Sequence, residues 1–413
     1  MPTFRAAWIL PITGPPIPHG WVTTAGGRIV AVGDVRERPP AQDGEDGGMD
    51  LGDIAVMPAL VNAHTHLELS WLRGRVPPAR GFIPWVTAMM RERLQSSDGR
   101  DETVVRAAMT AALAEMKASG TGLVGDISNS LDHLDLLVPS GLAGVVFYEL
   151  LKFRATDPEG FVRDAEQKIG TVQVGSGWRM ALAPHAPYSV SPAVFAALRD
   201  TRGTLHATRM SVHVSESPDE VEFIQRGSGG WPDLLKRLGA WDPEWRAPHC
   251  SPIEYLDRLE FWDDRTLAVH AAQASAADLA LLASRGTTLV TCPRSNRWVG
   301  AGDPPAAAFY ESGATVAVGT DSLASVDDLN LFSELAALHR LAPGVEPGRL
   351  LRSATLNGAA ALGFGSAFGA IEPGKRDALL AVSIPPGMTD VEQYLVSGIA
   401  PDQVRWLDQD VPC

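Results

Sequence analysis

The sequence predicts an α/β chain, a (β/α)8 TIM-like barrel joined to a small β-sandwich module formed from both chain ends. Two observations carry this reading. Eight apolar, strand-like runs occur in order, AVMPALVNA, TGLVGDIS, GLAGVVFYELL, RMALAPHAP, RMSVHVSE, RTLAVHAA, TTLVTCP and ATVAVGTD, with helical stretches between them. That number and alternation suit a closed parallel barrel. Metal-type ligands then stand at the C-terminal ends of runs lying far apart: His64 and His66, His213, His270 and Asp321. Active sites of such barrels are assembled on that face from several strand ends.

Residues 1–57 read as short β runs broken by Gly, Pro and Asp (FRAAWIL, GWVTTAG, GRIVAVG, DIAVM), with RERPPAQDGEDGG as a polar, flexible surface loop. The C-terminal stretches FGAIEPGKRDALLAVS and QVRWLD return to that style. Small sheets need several strands, so residues 1–57 and 363–413 are expected to form one composite β module beside a barrel spanning 58–362. Within the barrel, Asp101–Ser119 is a helix with Asp101 as N-cap and Gly120 at the C′ position. Ser217-Pro218-Asp219-Glu220 has capping-box spacing with proline at the first helical position, and Ser275–Arg285 ends at Gly286. Two long loops stand out, Leu67 to about Trp85 and Arg226 to Asp264. The second carries Trp231, Trp241, Trp245 and Trp262. Its tryptophans either select substrate or plug gaps between helices.

The chain has 413 residues, 45% of them hydrophobic, which suffices for a large core. A net charge of −14 argues against nucleic acid or anionic membrane as partner, since both need a positive surface, and leaves a small-molecule substrate. Three widely spaced cysteines cannot make a disulfide framework and suit a reducing compartment. The N-terminus lacks a basic region and cleavage site, and no segment reaches the ~20 apolar residues of a span. A cytoplasmic chain is expected.

Side chains at i and i+2 of a strand share a face, so His64 and His66 can point into one barrel mouth. His213 adds a third imidazole and Asp321 an anionic oxygen. Three histidines and a carboxylate suit one divalent metal, zinc first and ferrous iron second, with a position left for water. Glu216, three residues after His213, can reach back over the site and move protons. Glu220 and Glu222 fit the part of solvated helix-start acids better. His270 is either a further ligand or the partner of the attacking water. His185 ends the fourth run and, with Tyr188, can hydrogen-bond a substrate hydroxyl or ring nitrogen. No lysine stands at that strand end, so one metal is simpler than two, although Lys152 after the third run keeps a bridging carboxylated lysine open. His19, His133, His206, His249 and His339 fall in loops or helices, as structural or exposed residues.

VMPALVNAHTHLELS, APHAPYSVSP, HVSESPDEVEF, AVHAAQ, TCPRSN and VGTDS resemble the amidohydrolase superfamily, in its branch of cytosine, guanine, S-adenosylhomocysteine and triazine deaminases or chlorohydrolases. The resemblance covers essentially the whole chain, including EPGKRDALL. It implies that His64, His66, His213 and Asp321 bind one metal, and that Glu216 shuttles protons. It also implies that His270 orients the attacking water, that Asp321 accepts a proton from it, and that His185 contacts substrate. Within the branch, HTHLELSWLRG and FIPWVTAMMRER look most like aminodeoxyfutalosine deaminases of menaquinone biosynthesis. That substrate has a benzoate end, for which Arg154, Arg294 and Arg297 are candidate cations because they follow strand ends; the alternative for each is a surface ion pair. Deamination of S-adenosylhomocysteine, methylthioadenosine or guanine, triazine dechlorination, cyclic-amide hydrolysis and a non-catalytic binding protein are the other readings. The resemblance also implies a homo-dimer.

Overall fold

The computed structural model describes residues 1–34, 36, 48–95, 101–201 and 209–407. Each of the eight runs forms one barrel strand: β1 (Leu60–Thr65), β2 (Thr121–Ser128), β3 (Ala143–Leu150), β4 (Trp178–Pro184), β5 (Met210–Val214), β6 (Thr266–His270), β7 (Thr288–Thr291) and β8 (Thr315–Val318). They lie side by side in chain order in one parallel sheet. Most are buried on both faces, which is why they read as unbroken apolar runs.

The barrel closes between first and last strands through a few specific bonds. Thr65 bridges Asp321, and the amides of Thr320 and Asp321 both donate to the carbonyl of His64 at 3.1 Å. The Asn62 amide donates to Thr320 Oγ1 at 2.7 Å and its carbonyl accepts from Thr320 N–H at 3.1 Å. Gly319 permits this approach, because a Cβ there would lie 2.7 Å from the His64 carbonyl. Inside, Val145 and Phe147, Ala181 and Ala183, Leu267 and Val269, and Ala317 share one core with Leu362, Phe364 and Phe368. Alternation then carries Glu149, His185, His213 and Asp321 inward at the strand ends.

The predicted helices form. The helix Glu102–Ala118 starts from Asp101, whose side chain accepts from Thr103 N–H. Ala276–Ser284 has a full capping box at Ser275 and Asp278. At Pro218–Arg226 the Ser217 hydroxyl caps Glu220 N–H, but the reciprocal half differs from the capping-box expectation: the Glu220 carboxylate accepts from Ser215 and Glu216 instead. Both long loops contain helix. The first holds a 3-10 turn, Leu67–Leu72, and the start of α1 (Phe82–Gln95); the second holds α2 (Trp231–Arg237) and Pro252–Arg258.

Two small sheets flank the barrel. One pairs Thr3–Arg5, Trp21–Ala25, Arg28–Gly33 and Met49–Asp50; the other joins Trp8–Ile9, Ile17–Pro18 and Ile54–Pro58 to the C-terminal strands Leu379–Ser383 and Val404–Trp406. Phe4, Val22 and Ile29 from the first share a core with Val56, Leu379 and Ala381 from the second, the sandwich expected from both ends. The single apolar run AVMPALVNA divides at Ala59, giving its first half to this module and its second to the barrel. RERPPAQDGEDGG, apart from its ends, lies outside the described residues, as does His206. Among the described residues no helix is long and apolar enough to cross a membrane.

Candidate metal centre and substrate cavity

His64, His66 and His213 bring one ring nitrogen each to within 4.8 Å of one another. His64 Nε2 and His213 Nε2 are only 3.3 Å apart. His213 Nδ1 stands 2.8 Å from the carbonyl of His185, which can only accept, so the proton sits on Nδ1 and the Nε2 lone pair faces inward. Burial first, and the neighbouring imidazoles second, hold His64 and His213 well below the ordinary histidine range. Neutral nitrogens converging this closely repel one another unless a cation lies among them. Asp321 Oδ1 completes the set, 3.6 Å from His66 Nε2 and 3.9 Å from His64 Nε2, while its Oδ2 accepts from Ser295 at 2.5 Å and Ser325 at 3.3 Å. This donor set fits one divalent metal of the zinc type, and the cavity lies beside it. Lys152 is exposed, with Nζ 5.7 Å from the Phe161 ring centroid, and stands apart from the histidine cluster.

A second trio, Glu216, His270 and Asp321, adjoins the first. Alternation along β6 would send Val269 inward and His270 outward. The chain instead enters the left-handed region at His270 (φ 75°) and Ala271 (φ 47°), and at Ser215 (φ 49°) and Asp321 (φ 59°). Such angles cost non-glycine residues on the order of 1–3 kcal/mol each and concentrate at functional sites. They turn His270 Nε2 to within 3.6 Å of Glu216 Oε1. Burial, with Asp321 and Glu220 adding to it, lifts Glu216 well above the carboxylate range, which suits a group that exchanges a proton near neutrality. Burial lowers His270 to about 4.

Glu220 is not the solvated acid its helix-start position suggests. It is fully buried, and its two oxygens each accept a backbone N–H at 2.9 Å, from Ser215 and Glu216. Burial raises it to about 8. His133 is likewise buried rather than exposed, with Nε2 2.6 Å from Asp126 Oδ2. Asp126 Oδ1 accepts from Leu67 N–H at 2.9 Å, pinning the backbone just after His66. Spacing alone could not reveal either arrangement, because both depend on strand register.

Above the histidines opens a cavity of about 490 Å³, lined by His185, Tyr188 and Glu149 below and by Phe82, Trp85, Met89 and Trp231 along the walls. Trp231 stacks on Tyr188 at 3.8 Å between centroids and lines the cavity. Trp245 stacks on Phe223 at 4.3 Å, Trp241 lies 6.1 Å from Phe153, and Trp262 is buried with its indole N–H on the Ile253 carbonyl; these three fill gaps. Glu149, which the sequence reading missed, continues the inward row of Val145 and Phe147; its Oε2 accepts from Asn129, and its Oε1 is 4.0 Å from His185 Nε2.

Arg154 lines the cavity mouth together with Lys152 and with Arg93 from α1. The expectation for Arg294 and Arg297 is corrected: they pair with Asp328 and Asp303 at 2.8 Å and line a separate cleft. Both lie on α3 (Pro293–Trp298). At 3.6 residues per turn, Ser295 and Asn296 share one side of that helix and Arg294 and Arg297 the opposite one. Ser295 and Asn296 face the site, so the arginines turn away.

The amidohydrolase family model matches residues 55–398. The chain belongs to the amidohydrolase family. It is therefore a hydrolase acting on carbon–nitrogen bonds. It is 30% identical over 360 residues, 83% of this chain and 81% of the relative, to the aminodeoxyfutalosine deaminase of Deinococcus radiodurans. It is 28% identical over 397 residues, 92% of this chain and 83% of the relative, to the 5-methylthioadenosine/S-adenosylhomocysteine deaminase of Teredinibacter turnerae. Among solved structures it resembles a zinc-bound adenosine deaminase from Xanthomonas campestris, with a TM-score of 0.79 and 28% identity, covering 97% of this chain and 90% of that one.

Proposed function

We propose that this amidohydrolase is a zinc-dependent deaminase of adenosine-type nucleosides, and that its substrate is 6-amino-6-deoxyfutalosine, released as futalosine and ammonia. His64, His66, His213 and Asp321 would hold the ion. When bound, such an ion lowers the pKa of water from 15.7 toward ~7 and so supplies a nucleophile at neutral pH. Glu216 takes a proton from the attacking water and places it on the purine ring nitrogen next to C6, offsetting the loss of aromaticity as the C6–O bond forms. Asp321 then takes the remaining proton from the new C6 hydroxyl, which passes by way of Glu216 to the exocyclic amine, so that C6=O forms as the C6–N bond breaks and ammonia leaves as a neutral molecule. His185 and Tyr188 hold the nucleoside, and the Phe82–Trp85–Trp231 wall covers its apolar parts and keeps out bulk water.

The observation that supports this substrate is the charge pattern of the cavity. Its acids, Glu149, Glu216 and Asp321, all sit beside the histidines, while the mouth carries Arg93, Lys152 and Arg154. Among the described residues none of these three cations has an ion-pair partner. A carboxylate at the far end of the substrate fits that mouth. A neutral methylthio group leaves the cations unanswered, while S-adenosylhomocysteine brings a carboxylate together with an ammonium that finds no acid among the described residues lining that mouth.

Ultraviolet-monitored deamination of aminodeoxyfutalosine, adenosine, methylthioadenosine and S-adenosylhomocysteine by zinc-loaded enzyme tests this. We expect aminodeoxyfutalosine to have the highest kcat/KM, and Arg154→Met to raise its KM while leaving adenosine turnover unchanged. Equal or better turnover of methylthioadenosine would overturn the substrate and keep the reaction.

A further inference from the structure

We propose that Asn296 is a positioning residue whose side-chain amide holds His270 in the tautomer protonated on Nε2, so that His270 acts as a hydrogen-bond donor and not as a metal ligand. The inference rests on the zinc site proposed above and concerns how two neighbouring imidazoles in it are given opposite roles.

His213 and His270 are stacked, with centroids 5.5 Å apart and planes inclined by 19°. Each has a buried partner on Nδ1, but the partners are opposite in kind. His213 Nδ1 meets the carbonyl of His185 at 2.8 Å, and a carbonyl can only accept; its Nε2 is therefore a lone pair. His270 Nδ1 meets the side-chain NH2 of Asn296 at 3.1 Å, and an amide nitrogen can only donate; its Nδ1 is therefore the lone pair and Nε2 carries hydrogen. What faces His270 Nε2 agrees, since Glu216 Oε1 lies 3.6 Å away and offers an acceptor.

The reverse orientation of the Asn296 amide is the costlier one. Asn296 is fully buried and its Oδ1 already lacks a partner among the described residues. Turning the amide end for end would satisfy that oxygen but leave both N–H groups without an acceptor among the described residues, and orphaned buried N–H groups are rarer than orphaned carbonyls. The backbone is arranged to the same end: the left-handed conformation at His270 aims Nε2 inward, and α3 presents Ser295 to Asp321 and Asn296 to His270 from one face. One helical turn thus secures both an anionic ligand and a neutral donor.

Nitrogen-15 NMR of histidine-labelled protein, zinc-loaded and metal-free, reads this directly, with His270 signals identified by their loss in His270→Gln. In the unmutated protein His270 Nδ1 should be pyridine-type and Nε2 should carry hydrogen, with His213 reversed. Asn296→Asp offers only acceptors, so the His270 tautomer should invert, with kcat falling roughly 10²-fold, the scale of one lost transition-state donor, and little change in KM. Asn296→Leu, which adds no buried charge, should give a mixture of tautomers should the aspartate variant fail to fold. An unmutated protein with hydrogen on His270 Nδ1, or a tautomer indifferent to position 296, overturns the proposal. Failure to bind zinc would overturn the metal reading instead, while the metal-free spectrum would still decide the role of Asn296.

Discussion

Replacing Glu220 with glutamine removes one oxygen and puts an NH2 group in its place. The two carboxylate oxygens accept from Ser215 and Glu216 N–H, each at 2.9 Å, and among the described residues no cation pairs with them. In Glu220→Gln one of those peptide N–H groups faces another donor. An unmet buried donor costs about 1–3 kcal/mol. Spread over the unfolding entropy of a chain this size, about 2.1 cal/mol/K per residue, that lowers Tm by only ~1–4 °C. The effect on turnover is expected to be larger. The lost bond belongs to Glu216 itself or to Ser215, whose left-handed φ of 49° needs support from its surroundings. Once that turn relaxes, the Glu216 carboxylate moves, and a displacement near 1 Å in a catalytic group can cost ~10²-fold. Calorimetry and steady-state kinetics on one preparation separate the two effects. A kcat within twofold of the unmutated enzyme, at any Tm, would refute the idea that Glu220 positions Glu216.

Glu216→Gln should keep stoichiometric zinc by elemental analysis while losing about 10²–10⁴-fold in kcat, and retained turnover would remove it from proton transfer. Asp321→Ala should lose zinc during dialysis against a mild chelator; an unchanged metal content would take it out of the ligand set. His133→Leu leaves the Asp126 carboxylate buried without its partner and should cost ~3–5 kcal/mol in denaturant unfolding. Because His64 and His213 are held below 6.5, the unfolded chain takes up protons under that pH which the folded site refuses. The contribution of these two histidines to metal-free stability should therefore fall as pH drops through 6.5, opposed over that range by Glu220, which is raised to about 8. The Tm of a His64→Asn, His213→Asn variant should change more favourably from pH 7.5 to 5.5 than that of the unmutated protein, and an equal change would contradict it.

The barrel was legible because its eight strands are buried on both sides, so each survives in the sequence as an apolar run ending where ligands begin. His213, His185 and Asp321 were legible for the same reason: alternation alone brings them inward. Glu149 obeys that alternation too, and counting by twos from Phe147 would have found it. His270 reaches the site only through a left-handed backbone, which no periodicity announces. Glu220 and His133 looked unremarkable because a Ser-Pro-Asp-Glu start or a loop histidine reads alike in water and in a core. The arginines after β7 show a different limit: following a strand end places a residue near the mouth, but helical rotation decides which side of α3 looks in. Arg93 belongs to a helix from the first long loop, beyond the strand-end rule altogether.

The seam between β1 and β8 has a consequence in time. His64 and Asp321 face each other across it, held by Asn62, Thr320 and a few main-chain bonds. Ribosomal synthesis delivers the first half of this seam early and the second only after some 250 further residues, a long-range closure of the slow kind. Until β8 is made and docked, the nascent chain holds the three histidines of the proposed chelate, His64, His66 and His213, without the Asp321 carboxylate that completes it. If His64, His66, His213 and Asp321 hold the ion as proposed, the full chelate exists only afterward, and zinc would be the last stitch across the joint, locking a barrel already formed.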